Sequence, residues 1–147
     1  MELIIQLAVA SAMVAATIVM HLVGLGGLIA LMRNHQTHFT TNRARLDQVV
    51  ILLGVGFGLF ALHAVEIWTY AGLYHVLTGW PTFEQSLYFS TSTYVTLGYG
   101  DVTLPRQWRV LGAIEGANGV ILLGWSTAFF VSVVGRLRAL EHDWGVD

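Results

Sequence analysis

The chain has 147 residues, of which 55% are hydrophobic and 11% charged, and its mean hydropathy is +0.65. Soluble domains carry about a quarter charged residues, so the composition excludes an ordinary soluble fold and points to a membrane protein of a few helices without a large soluble appendage. A net charge of −2, with seven arginines, no lysine and no basic run, excludes a nucleic-acid partner, and the absence of cysteine excludes disulfides and thiolate metal sites.

Leu3 to Met32 is apolar, interrupted only by Gln6, Ser11, Thr17 and His21. A span needs ~20 such residues, so residues 1–32 are expected to form a transmembrane helix. A cleaved signal peptide is disfavoured: Glu2 stands where a signal carries positive charge, and the run exceeds a signal's apolar core. Ala8, Ala12, Ala16, Gly24 and Gly27 offer small surfaces for close helix packing. His21 reads as a packed, hydrogen-bonded histidine. Residues 33–48 form a polar loop in which Arg33, Arg43 and Arg45 face Asp47 as the one acid. The positive-inside rule places that loop in the cytoplasm.

Val49 to about Leu77 is the second apolar run. Gly54 and Gly58, with Gly56 between them, have the spacing of a tight helix contact in lipid. His63 and Glu66 lie toward the outer half, and Trp68, Tyr70 and Tyr74 read as an interfacial aromatic belt. Thr78-Gly79-Trp80-Pro81 is a turn, and Thr82 with Gln85 reads as a capping box. A helix from Phe83 to about Val95 is ~20 Å long, too short for ~30 Å of hydrocarbon. Such a segment enters the membrane and stops midway, buried in protein, with the negative end of its dipole at its C-terminus. Val102 to Gln107 leads back out through Pro105, and Val110 to Val134 is the last span. Arg136 and Arg138 put its end, and the short tail of residues 139–147, in the cytoplasm. The N-terminus is then outside, with Arg106 and Arg109 as mild exceptions on the outer side.

Thr96-Leu97-Gly98-Tyr99-Gly100-Asp101 follows the short helix. Gly98 and Gly100 reach backbone angles that Cβ-bearing residues avoid, and that freedom lets successive carbonyls point to one side of an extended strand. A ring of carbonyls can replace the water shell of a cation. The string resembles the potassium-channel signature, with Leu97 where valine is usual. The likeness is close over Tyr88 to Asp101 and looser over Val49 to Arg138, so the chain resembles the two-helix ion-channel pore family with one extra N-terminal helix.

The resemblance implies an all-α membrane fold of three transmembrane helices plus a re-entrant pore helix and filter loop, with residues 49–138 as the pore domain of a homotetramer in the lipid bilayer. It implies K⁺ at the carbonyls of Thr96, Leu97, Gly98 and Tyr99 and at the Thr96 hydroxyl. Gly100 finishes the strand, Asp101 stiffens it by accepting hydrogen bonds, and Tyr88, Phe89 and Tyr99 form an aromatic cuff. Ser92 stands where some relatives have glutamate, and Val95 where many have threonine. Gly119 is similar to the family's hinge glycine, with a packing glycine as the equal alternative. Stepping at helical period from Gly116 gives Val120, Leu123 and Thr127, then Val131 or Val134, as an uncharged cavity stripe. No organic cofactor is implied.

Ionisable groups inside a bilayer are costly and face the bundle interior, which singles out His63, Glu66 and Glu115. They read as support behind the filter, with Ser92 and Thr93 as expected partners, as a pH sensor, or as an intramembrane metal-binding enzyme or sensor. His63 and Glu66 share one helix face, but a metal site there lacks ligands. No nucleophile–base pair supports hydrolysis, so the chain is not read as an enzyme. Conduction of K⁺ is the expected activity. A non-selective cation channel is the near alternative, and Tyr99 argues against it. Small size and the absence of a targeting signal point to a bacterial inner membrane.

Overall fold

The computed structural model describes residues 2–36 and 44–143, and every regular element in them is helical. α1 runs Glu2–Gln36, α2 Ala44–Thr78, α3 Phe83–Tyr94 and α4 Arg109–Asp143, with a single 3₁₀ turn at Arg106–Trp108 before α4. Three of these carry apolar stretches long enough to cross a bilayer: Leu3–Arg33, Gln48–Thr78 and Arg106–Leu137. The chain is an all-α membrane protein. The helices extend further than hydropathy alone indicates. α1 continues through Arg33 to Gln36, α2 begins at Ala44, and α4 passes Val134 to reach Asp143. Of the expected polar loop, residues 37–43, including Arg43, lie outside the described residues, as do residues 144–147 of the tail.

Local chemistry explains the ends of α2 and α3. Gly79 adopts φ +64° after α2 and its amide donates to the His75 carbonyl at 3.2 Å, the left-handed stop that glycine permits. Thr82, extended at φ −132°, caps α3 by accepting from the Gln85 amide at 3.3 Å. Only this half of the expected capping box forms among the described residues. α3 is 12 residues long, so it spans ~18 Å at 1.5 Å per residue and cannot cross the membrane.

α3 is cradled between α2 and α4, and α1 packs on α2 and α4 of its own chain. The core around α3 is aromatic. Phe89 meets Tyr74 edge-on at 5.2 Å and Trp80 at 5.6 Å, and Tyr70 stacks on Tyr74 at 6.2 Å. A second, aliphatic cluster of Ile51, Val55, Leu59, Val133 and Leu137 closes the far end. Gly24 of α1 receives Leu62 of α2, and Gly58 of α2 receives Leu28 of α1. The expected Gly54/Gly58 pair is therefore split: a side chain at Gly54 would meet nothing, as at Gly27.

The polar interruptions of α1 decide which way it faces. Gln6, Thr17 and His21 are all buried, and with Ala10 they share one face at helical spacing. Buried polar groups are unfavourable unless paired. Gln6 Oε1 accepts from the Val110 amide at 3.1 Å, one of the orphan donors at the start of α4. Thr17 Oγ1 accepts from Asn118 Nδ2 at 2.8 Å. Outward, Phe57, Phe60 and Val76 are among the large exposed hydrophobics, as lipid contact requires.

Candidate functional site

The segment after α3 has an unusual backbone. Thr96 sits at φ +60°, Gly98 at +55° and Gly100 at +79°, and no other non-glycine residue among those described has positive φ. Left-handed residues thus alternate with Leu97 and Tyr99. Alternation of this kind turns successive peptide planes the same way, with amides on one side and carbonyls on the other. Two consecutive amides follow the rule: Leu97 N–H and Gly98 N–H both donate to the Ser92 carbonyl, at 2.8 and 3.1 Å. Thr96 N–H donates to the Thr93 carbonyl at 3.0 Å. The loop is pinned by its amides to the last turn of α3, and its side chains Leu97 and Tyr99 are 58% and 68% exposed in a single chain.

Asp101 closes the loop. Tyr88 donates its hydroxyl to Asp101 Oδ2 at 2.7 Å, and the Val102 amide donates to Oδ1 at 3.0 Å. The Tyr88 hydrogen bond holds the Asp101 carboxyl below the usual carboxylate range. Phe89 is buried in the aromatic core, but no ring contact joins Tyr99 to Tyr88 or Phe89 within one chain among the described residues. Ser92 anchors the loop through its backbone carbonyl, whereas its hydroxyl turns back to the Phe89 carbonyl at 3.0 Å.

Behind α3 lie two buried polar networks. In the first, Glu66 Oε1 pairs with His21 Nδ1 at 2.8 Å, and Oε2 pairs with His63 Nδ1 at 2.9 Å and accepts from Tyr94 Oη at 2.5 Å. Ser126 of α4 faces His63 Nε2 at 2.9 Å. All four helices contribute. The tautomers that satisfy these atoms carry the proton on Nδ1, donated to the carboxylate, while the Ser126 hydroxyl donates to His63 Nε2. In the second network Glu115 accepts from Ser90 Oγ at 2.6 Å and Tyr74 Oη at 2.7 Å.

The expected grouping of His63, Glu66 and Glu115 does not form, because Glu115 takes its own two hydroxyl donors. His21 joins His63 and Glu66 instead, and their donor atoms lie within 4.8 Å of one another. Two imidazoles and a carboxylate suit Zn²⁺. Here both Nδ1 atoms lie within hydrogen-bond distance of a Glu66 oxygen, at 2.8 and 2.9 Å, an arrangement that hydrogen bonding by itself accounts for. Both carboxylates do reach α3, through Tyr94 and Ser90 where Ser92 and Thr93 are expected. His21 was legible as a partner, since an ionisable group inside a membrane pairs with another. The positive φ of Thr96 carries no such signal.

α4 passes closest to this region at its glycines. A Cβ on Gly119 would overlap the carbonyl oxygen of Tyr94, and one on Gly116 would lie 3.3 Å from the Thr93 carbonyl oxygen. Gly119 is therefore a close-approach glycine here, the packing alternative of its sequence reading. On the open side of α4, Val120 and Thr127 are exposed and Leu123 half-buried, and the Thr127 hydroxyl donates to the Leu123 carbonyl at 2.9 Å.

A family model described as an ion channel matches residues 50–136, well over half of the chain. The chain belongs to this ion-channel family. The match begins in α2 and runs into α4, so it contains the short helix, the loop and both carboxylates of this channel, but none of α1. No curated protein and no solved structure matches the chain. The extra helix is nonetheless joined to the family core by Gln6, Thr17 and His21, which pair with Val110, Asn118 and Glu66.

Proposed function

We propose that the protein is a K⁺-selective channel in which a homotetramer brings one Thr96–Gly100 loop per chain around a common axis. The observation that carries this reading is the alternation of left-handed residues at 96, 98 and 100. With the Leu97 and Gly98 amides turned onto Ser92, the carbonyls of Thr96 and Leu97 in the same peptide planes are free to face the axis, and those of Gly98 and Tyr99 continue the row. Carbonyls so arranged replace the hydration shell of K⁺, and the Thr96 hydroxyl adds a further oxygen at the inner end. Conduction is passive: dehydrated ions pass in file down their electrochemical gradient. α3 acts as the pore helix, its C-terminal dipole favouring a cation on the axis. Gly116, Val120, Leu123 and Thr127 line an uncharged cavity, which can close by dewetting at its narrow end. The N-terminus lies outside and the C-terminus in the cytoplasm of a bacterial inner membrane.

Purified protein in K⁺-loaded liposomes tests the reading. Expected is K⁺ efflux that Ba²⁺ blocks and that Na⁺ does not replace. Equal Na⁺ and K⁺ fluxes would overturn selectivity, and no flux at all would overturn the channel.

A further inference from the structure

We infer that His21, in the helix outside the family match, is a positioning residue for ion selectivity that acts through Glu66 and Tyr94. The inference rests on the channel reading above and names a residue that governs the same site. Glu66 is fully buried, and an ionised carboxylate must have its lone pairs filled there. Its Oε2 has two partners, His63 and Tyr94. Its Oε1 has one among the described residues, His21 Nδ1 at 2.8 Å. Among the described residues, the second oxygen of this carboxylate is therefore satisfied only from α1.

Tyr94 transmits this to the loop. It is the last residue of α3, fully buried, and two residues before Thr96, where the left-handed alternation starts. One end of Tyr94 is held by Glu66 through the hydroxyl, and its carbonyl oxygen is seated against Gly119 of α4. Rotation of the Glu66 carboxylate to refill Oε1 would pull Oε2 away from Tyr94 and His63. The end of α3, and with it the start of the loop, would lose the anchor of the Tyr94 hydroxyl on Glu66. His21 itself is fully buried, with the Ser126 hydroxyl 3.5 Å from its Nε2 and the Trp125 ring 6.2 Å away.

Reversal potentials under opposed K⁺ and Na⁺ test this in the full-length protein in planar bilayers. His21→Leu keeps bulk and removes the donor, whereas His21→Asn keeps a donor near the Nδ1 position. We expect His21→Leu to lower the K⁺-over-Na⁺ permeability ratio about tenfold, the factor equal to ~1.4 kcal/mol. His21→Asn should restore most of the ratio, a rescue that a role in filling space would not produce. Tyr94→Phe, which retains the ring and deletes the hydroxyl, should reproduce the His21→Leu loss. The double variant should lose no more than either single one. Should His21→Leu fail to assemble, Tyr94→Phe alone decides. The inference is overturned if either variant keeps the wild-type ratio, if His21→Asn loses as much as His21→Leu, or if the two losses simply add. A wild-type protein that conducts without selecting K⁺ would instead overturn the reading beneath it.

Discussion

Gly98 holds φ +55° at the centre of the proposed filter, and open space surrounds the position where a Cβ would stand. Within one chain, substitution there is therefore a matter of backbone strain, ~1–2 kcal/mol for a left-handed residue with a Cβ. Gly98→Ala is expected to abolish K⁺ flux while the oligomer still assembles; liposome flux and cross-linking check the two halves separately. Thr96 already bears such strain at φ +60°, and the three amide bonds onto the end of α3 are what hold it. Asp101 makes a different prediction. Its folded carboxyl is held below the ordinary value by Tyr88, so the contribution of that pair is present above the ordinary aspartate pKa of about 3.9 and is lost as pH falls through the lowered folded value. K⁺ flux is thus expected to be independent of pH around neutrality, where this bond is intact, and to decline only in acid, as Asp101 is protonated below the ordinary aspartate value. Tyr88→Phe should move that decline to higher pH; a pH series of Rb⁺ uptake on both proteins measures it.

At the scale of elements, the helices are held together by a few buried polar pairs as well as by apolar packing. Glu115 joins α4 to α2 and α3 through Tyr74 and Ser90. Glu115→Gln retains shape and can still pair with both hydroxyls, since each can rotate to donate or accept. Glu115→Ala leaves the buried Tyr74 hydroxyl without a partner among the described residues, at ~1–3 kcal/mol, whereas Ser90 can still donate to the Ile67 carbonyl at 3.0 Å. The Ala variant is expected to melt well below wild type and the Gln variant close to it, as read by thermal stability of the detergent-solubilised protein. Thr17 is the corresponding link for α1. Thr17→Val preserves volume but removes the nearer of two acceptors for Asn118 Nδ2, leaving Tyr70 Oη at 3.4 Å, and an expected loss of ~1 kcal/mol should appear as a lowered melting temperature. Some of these links were open to sequence reading. The capping threonine, the short α3 and the inward-facing carboxylates follow from spacing and from the expense of charge in lipid. The identity of their partners does not, because Ser90 and Tyr94 differ from Ser92 and Thr93 only by rotation about α3.

At the scale of the whole molecule, the described arginines sit at the ends of the spans: Arg33 at the close of the first, Arg45 before the second, Arg106 and Arg109 at the entry to the third, and Arg136 and Arg138 near its exit. No span carries an arginine or lysine in its interior. Each gating charge moved across the membrane supplies ~2.3 kcal/mol per 100 mV, so the conductance is expected to vary only weakly with voltage. Single-protein recordings in planar bilayers test this, and a steep activation curve would contradict it. Composition and period alone determined that this is a helical membrane protein with three spans, a short helix that cannot cross, and a Gly-x-Gly loop after it; only resemblance ties that loop to a channel signature. Those properties are local: hydropathy, helix length and glycine freedom are fixed within a few neighbouring residues. Only the tertiary structure decided that α1 docks on its own chain, that His21 completes Glu66 while Glu115 takes Tyr74 and Ser90, and that Gly119 is where α4 meets the end of α3. Each of these depends on how helices distant in sequence cross and rotate against one another. Helical period names the face a residue occupies but not the residue that meets it.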